Sequence, residues 1–567
     1  MRLILKEYLT LLKESKELDA LLPDLLLSIG YETISLAQIG ATQYGVDIAA
    51  IGKDSDDVKK LFLFTIKQGD IGRNDWCENK QAVKQSLDQI RDVYLNYFIP
   101  NQYKKLPVVI IVCTGGKLKQ ELNLEWNGYL KNNESPGKRD YVFWDGDKLS
   151  LLIEENMLNE NILPENLRSL FRRTLVKLTD SDYNFEDFYQ LLSELMFQTK
   201  YDDIKKQSSK KEVKKMLRTV HLSLNIIYFW ARKENNLKPA LYCAERTILI
   251  FWEFIRINNL FEKEWICSIL NEIYQSFQKI YIDYFVKIQK HCYVLNGFSG
   301  HYSEFFFESI NIFEHLGIIV TLALNEHFKI SHQKLLDINI KKNINNIVAT
   351  VKELINNNQS LLNPVYDNHM NEISATIFLL SEYKEFEFLE QWIRDLFEHI
   401  WYSYTYLGIN FPIYTDSIDD LIALNISKQI QKEKLFEISS LIPSLAQWCI
   451  VLNFKDLYKY IKNRVTKDFE NCTMQLYYPD IETDKYLYNK DASRESGFSE
   501  APIILKSFDE MKKRIAKVKS KRISKEEISS IKYSFTVLPF IAFRHFRTPM
   551  FPMYWQDRIE IEDEKNT

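Results

Sequence analysis

Asp47 and Lys67 lie in two short apolar stretches, Gly45-Val46-Asp47-Ile48 and Phe64-Thr65-Ile66-Lys67-Gln68-Gly69. An acid on one strand and a lysine on the next suit metal-dependent phosphodiester hydrolysis. The carboxylate holds a divalent cation, and the lysine stabilises charge on the phosphate or orients the attacking water. The period of two along a strand sets Thr65 and Lys67 on one face, where both can look toward Asp47 on an adjacent strand. A lysine in a strand apolar on both faces is costly unless something pairs with it. No histidine precedes His221, so histidine acid–base catalysis and histidine-ligated zinc are excluded from this region. A hard cation on oxygen ligands is the metal chemistry left.

Other segments carry weaker signals. Two basic runs stand out: Lys205, Lys206, Lys210, Lys211, Lys214, Lys215 and Arg218, and then Lys512, Lys513, Arg514, Lys517, Lys519, Lys521, Arg522 and Lys525. The first reads as a solvated helix face or linker, with nucleic-acid contact as the alternative. Gly115-Gly116-Lys117 follows a strand but lacks the spacing of a phosphate-binding loop. Arg544, Arg547 and Arg558 lie in or near a segment of three prolines among aromatics, Pro539–Trp555, and are expected to pack on aromatic faces. That segment is expected to lie extended over helices.

The elements that must position these residues follow from periodicity. Leucines at three- and four-residue spacing predict a helix over 3–29, with Pro23 as a kink or break. Strands are expected at 31–36, 46–51, 61–67, 107–113 and 141–144, with a helix over 76–97 and closing helices at 147–155 and 165–176. That order is an α/β layer fold. Eleven of the 16 glycines lie between Gly30 and Gly146 and none follows until Gly297, so a turn-rich first part gives way to a mostly α-helical remainder. The expected organisation is an α/β domain over 1–176, a basic linker over 177–211, a helical domain over 212–473, and a C-terminal part over 474–567. In that last part, 474–503 reads as a structured loop and 507–532 as a basic helix.

Composition narrows the class. The 567 residues carry 73 Lys and Arg against 77 Asp and Glu, a net charge of −4, so any nucleic-acid surface must be local. Hydrophobic content of 46% excludes general disorder. No apolar run is expected to approach a membrane span, and Arg2 opens a helical pattern without a signal-peptide layout. Seven scattered cysteines without a C-x-x-C pair suit a reduced, cytoplasmic compartment.

The stretch GYETISLAQIGATQYGVDIAAIGKDSDDVKKLFLFTIKQGDI resembles the Mrr-type branch of the restriction-endonuclease-like, PD-(D/E)XK nucleases. Gly30-Tyr31, Gly45-Val46-Asp47 and Lys67 match that branch in order, and Asp19 stands near its helical acid. VVIIVCTGGKL and YVFWDGDKLSLL are similar to its last strands and closing helix, so the likeness covers about residues 15–175. It implies a restriction-endonuclease-like mixed sheet flanked by helices and Mg²⁺- or Mn²⁺-dependent cleavage of DNA. Asp47, the Ile66 carbonyl and Thr65 would be metal ligands, Lys67 the phosphate and water organiser, and Asp19 an auxiliary acid. Thr65 departs from the pattern, which has Glu or Gln there, and a neutral oxygen is the poorer ligand. Asp19, Glu17 or Asp70 would then supply the missing charge.

By analogy of architecture, the chain would be the effector of a prokaryotic restriction or anti-phage system. The helical region would sense a trigger, form a homo-oligomer or meet a defence partner. Arg394 and His399 are similar to the R-x4-H signature of HEPN-type ribonucleases, although Trp392, Leu396 and Ile400 read equally as an amphipathic helix. A ribonuclease using that pair, a DNA-binding fold with a dead site, and a scaffold remain the alternatives.

Overall fold

In the computed structural model the described residues are 2–35, 43–54, 56–78, 82–157, 165–179, 185–197, 207–300, 304–333, 338–489, 497–519 and 522–559. They form two compact units, Met1–Cys243 and Ala244–Thr567, divided within helix Leu237–Ile257.

The first unit is built on a five-stranded mixed sheet: β1 (Glu32–Ser35), β2 (Ile48–Lys53), β3 (Lys59–Lys67), β4 (Val108–Thr114) and β5 (Arg139–Trp144), side by side in that order. β1, β2 and β3 form an antiparallel meander, whereas β3, β4 and β5 run parallel. Parallel neighbours need crossovers. Helix Val83–Gln89 with its flanking turns supplies one and Asn123–Asn133 the other. Every residue of β4 and six consecutive residues of β3, Leu61–Ile66, are buried, as expected of strands covered on both faces. On one face Leu61, Leu63, Ile110 and Val112 pack with Trp76, Val83, Leu87 and Trp126. All five strands lie within two residues of the bounds expected from sequence.

The expected 3–29 helix is corrected. It is α1 (Arg2–Leu11), a π-helical turn (Glu14–Leu18) and α2 (Asp19–Ser28). The break precedes Pro23: it falls at residues 12–13 and the chain is helical again from Glu14, so Pro23 sits inside the helix and forgoes the bond to the Asp19 carbonyl. Gly115 brings α1 close to the end of β4, since a Cβ there would stand 1.8 Å from the Leu9 carbonyl oxygen. Packing thus accounts for the glycines before Lys117.

The 177–211 stretch holds more structure than a linker. Helix Glu186–Phe197 packs on Glu165–Val176, and Asp187 accepts from Arg173 and Lys177. Helix Gln207–Lys233 follows, where Arg218 pairs with Asp24 at 2.9 Å; Lys205 and Lys206 lie outside the described residues.

The second unit is helical. Helix Met370–Glu382 is its centre: twelve of its thirteen residues are buried. It packs against Phe305–Gln333, Phe386–Tyr402, Leu441–Val451 and Leu538–Phe546. A helix buried on every side must also satisfy its polar groups. Asn371 does so, donating to the Phe543 and Thr548 carbonyls and accepting from the Met550 amide.

Three expectations for this unit are corrected. Pro539–Trp555 is not extended: residues 538–546 form a buried helix with Pro539 in its first turn, where a missing N–H costs nothing. The 474–503 stretch contains a ladder pairing Leu476–Tyr478 with Phe498–Glu500. The basic helix ends at Lys519, and a separate short helix, Ser529–Lys532, follows. Contrary to the expectation that no apolar run approaches a membrane span, one helical stretch among the described residues, Phe305–Ile330, is long and apolar enough to cross a membrane. Within its 18-residue apolar window 67% of the residues are buried inside the protein, as in a core helix.

Candidate active site

Asp47 sits one residue ahead of β2. Its amide donates to the Phe64 carbonyl at 2.8 Å, and the Ile66 amide donates to its Oδ2 at 2.7 Å. Asp47 lies at a bend where the β2–β3 register ends, bonded to Phe64 and Ile66 on either side of Thr65. Thr65 and Lys67 share one face of β3. Gly45 permits the approach: its φ is +83°, and a Cβ would stand 2.3 Å from the Ser86 carbonyl oxygen.

Two acids join from the helical layer. The π-turn packs against β3 and carries Glu14, whose carboxylate lies 3.9 Å from Lys67 Nζ. Asp19 follows directly on the π-turn as the first residue of α2, its amide bonded to the Glu14 carbonyl. Glu14, Asp19 and Asp47 are within electrostatic reach of one another, and Lys67 is within reach of Glu14 and Asp47. Burial, above all, pushes the Glu14 and Asp47 carboxyls above the usual range, and the neighbouring acids push the same way. Lys67 pulls both back, as the Ile66 amide does for Asp47.

Two oxygens complete the set. Thr65 Oγ1, on a side chain 1% exposed, and Asp19 Oδ1 are buried without a hydrogen-bond partner. Orphaned oxygens are costly. Carboxylate and hydroxyl oxygens of this kind are the ligand type of hard divalent cations. Ile66 meets Asp47 through its amide, whereas its carbonyl was the expected ligand.

The chain was compared with protein-family models, with curated proteins and with solved structures. It matches none of them.

Glu14 is the residue that sequence reading missed. Of the three acids expected to supply charge, Glu17 accepts from the Lys13 amide and Asp70 from the Lys117 amide, both at 3.0 Å, so each shapes a turn. Only Asp19 joins the cluster. A signal for Glu14 existed: buried leucines run 5, 9, 12 and then 18, and that last gap of six exceeds any helical repeat.

The remaining candidates are placed elsewhere. Arg394 and His399 lie on helix Phe386–Tyr402, where Arg394 is 3.8 Å from Glu390 and His399 Nδ1 is 2.8 Å from the Asp395 carbonyl oxygen. Five residues at 3.6 per turn set them roughly 140° apart around that helix. Arg544 pairs with Glu245, Arg547 with Glu372 at 3.1 Å, and Arg558 with Glu382 while covering the Phe378 ring at 4.5 Å.

Proposed function

We propose that Met1–Cys243 is a divalent-cation-dependent DNA nuclease of the Mrr-type, restriction-endonuclease-like kind. The observation that carries this reading is that Glu14, Asp19 and Asp47 lie within electrostatic reach of one another, with Lys67 in reach of Glu14 and Asp47 and with unpartnered oxygens on Asp19 and Thr65. Asp47, Asp19, Glu14 and Thr65 Oγ1 would hold Mg²⁺ or Mn²⁺. When bound, the cation supplies a Lewis acid and a water of lowered pKa.

The chain's own residues do the rest. The Ile66 amide fixes one Asp47 oxygen and leaves the other for the cation. Lys67 would neutralise charge on a phosphate oxygen, with Glu14, 3.9 Å from its Nζ, as its partner in the absence of phosphate. Thr65 contributes a neutral oxygen where related nucleases have a carbonyl-bearing or anionic side chain, so Glu14 takes over part of the charge. As the effector of a prokaryotic restriction or anti-phage system, such a nuclease is expected to await a trigger, and the helical unit would provide its sensing or oligomerisation.

The test is cleavage of supercoiled plasmid DNA with Mg²⁺ or EDTA, using wild type, Asp47→Asn and Lys67→Ala. Nicking or linearisation that needs Mg²⁺ and falls at least a hundredfold in both variants is expected. Cleavage that survives EDTA, or is kept in both variants, would overturn the reading.

A further inference from the structure

The second unit carries a charged surface that nothing above uses. Helices Lys455–Asp468 and Phe508–Lys519 pack together: Tyr458 meets the Phe508 ring edge-on at 5.7 Å, its hydroxyl donates to the Lys506 carbonyl at 2.8 Å, and Lys455 Nζ lies 5.7 Å from the Phe508 ring centre. Residues 455–468 and 506–519 hold eleven Lys and Arg against four Asp and Glu, in a chain whose net charge is −4.

The two rows face one surface. Glu510, held by the Ser507 amide at 3.1 Å and hydroxyl at 2.5 Å, is within electrostatic reach of both Lys462 and Lys506. Lys459, Lys506 and Lys513 are exposed and Lys462 half-buried. None of the four forms an ion pair among the described residues. Asp456 and Asp509, also exposed, are the other acids on these faces, too few to balance the cations. Like charges so gathered repel, which a solvated helix face avoids by alternating signs.

The apolar side of the surface decides the ligand. Beside Lys506 there is the exposed Ile504, but among the described residues neither helix exposes a large hydrophobic side chain. A membrane-inserting or hot-spot protein interface would need one. Cations four residues apart on a helix are about 6 Å apart along its axis, and packed helices lie about 8–10 Å apart. Two such rows can meet phosphates on both sides of a nucleic-acid groove, about 12 Å wide in the major groove of B-DNA.

We propose that this two-helix surface binds the phosphate backbone of duplex DNA. The choice of DNA over other polyanions rests on the nuclease reading; the surface itself does not. Recognition here is electrostatic and sequence-independent, so it holds substrate without selecting a site.

The test is fluorescence anisotropy of the full chain with a labelled 30-base-pair duplex in EDTA, where cleavage cannot interfere, over a range of salt. Lys459→Ala, Lys462→Ala, Lys506→Ala and Lys513→Ala are combined in one variant. A control combines Lys263→Ala, Lys290→Ala, Lys384→Ala and Lys434→Ala, the same charge change elsewhere in the second unit, and circular dichroism checks that both variants fold. The proposal expects at least tenfold weaker binding in the first variant alone, with a salt slope shallower by about 0.9 for each phosphate no longer neutralised. Equal binding by the two variants would overturn it, as would a preference for anionic phospholipid vesicles over DNA. Binding retained in EDTA without cleavage in Mg²⁺ would count against the Asp47 site and leave this surface standing.

Discussion

Two aspartates, one in each unit, show how a structural carboxylate differs from an available one. Asp367, in the second unit, accepts from the Ser439 hydroxyl at 2.7 Å and from the Ser440 and Leu441 amides at 2.7 and 3.2 Å, fastening the start of helix Leu441–Val451. Asp47, in the first, accepts one hydrogen bond, from Ile66, and faces two other acids. Burial raises both carboxyls, Asp367 to about 6, with its three donors pulling the other way. One acid is spent on holding a fold together. The other has a single donor, at Oδ2, and lies among acids that repel it.

The largest effect should come from breaking the first of these. Asp367→Ala strands a hydroxyl and two amides in the interior and is expected to cost the second unit about 3–5 kcal/mol in denaturant unfolding. A loss below about 1 kcal/mol would erase the contrast.

Thr65→Glu sharpens the comparison from the other side. It adds an anionic oxygen where Thr65 Oγ1 has no partner, so Mn²⁺ affinity should rise about tenfold, while melting in EDTA should fall because a buried charge is added. Weaker Mn²⁺ binding by the variant would remove Thr65 from the ligand set.

Protonation gives the next, smaller effect. Carboxyls raised above their unfolded values favour the protonated form, so their stabilising contribution is present at low pH and is lost as pH climbs through the raised values. In EDTA, the difference in melting temperature between Asp47→Asn and wild type should therefore grow in favour of the variant as pH rises past the ordinary carboxylate range. Mg²⁺ should cancel it. A variant less stable than wild type at about pH 7.5 in EDTA would mean that Asp47 is structural after all.

The smallest effect is expected on helix Phe386–Tyr402. Arg394→Ala and His399→Ala each remove one partly or fully exposed side chain with local contacts only, so each should change stability by about 0.5 kcal/mol or less. Neither should alter nucleolytic activity on DNA or RNA. Metal-independent RNA cleavage lost in His399→Ala would move the active site to the second unit.

The strands were legible because β3 and β4 are continuous apolar runs bounded by turn residues, and such runs have few alternatives. That Thr65 and Lys67 share a face was legible for the same reason, since period-two geometry is rigid. Glu14 was not, because it depends on a π-turn whose extra residue re-aims the helix, and local propensity does not encode that shift. Pro539 misled for the opposite reason: a proline reads as a breaker in sequence, yet in a helix's first turn it fits without cost. The basic helix after Phe508 was visible, but its pairing with Lys455–Asp468 is a tertiary fact that charge counting along the chain does not reach.

Titration of the full chain with Mn²⁺ by calorimetry tests the carboxylate cluster most directly, since it needs neither a trigger nor a substrate. The account predicts binding by the wild type that is lost or weakened at least tenfold in Asp47→Asn and weakened in Glu14→Gln, with Asp395→Asn, an acid in the second unit, unchanged. Wild-type protein that takes up no Mn²⁺, or binds it equally well without the Asp47 carboxylate, would contradict it.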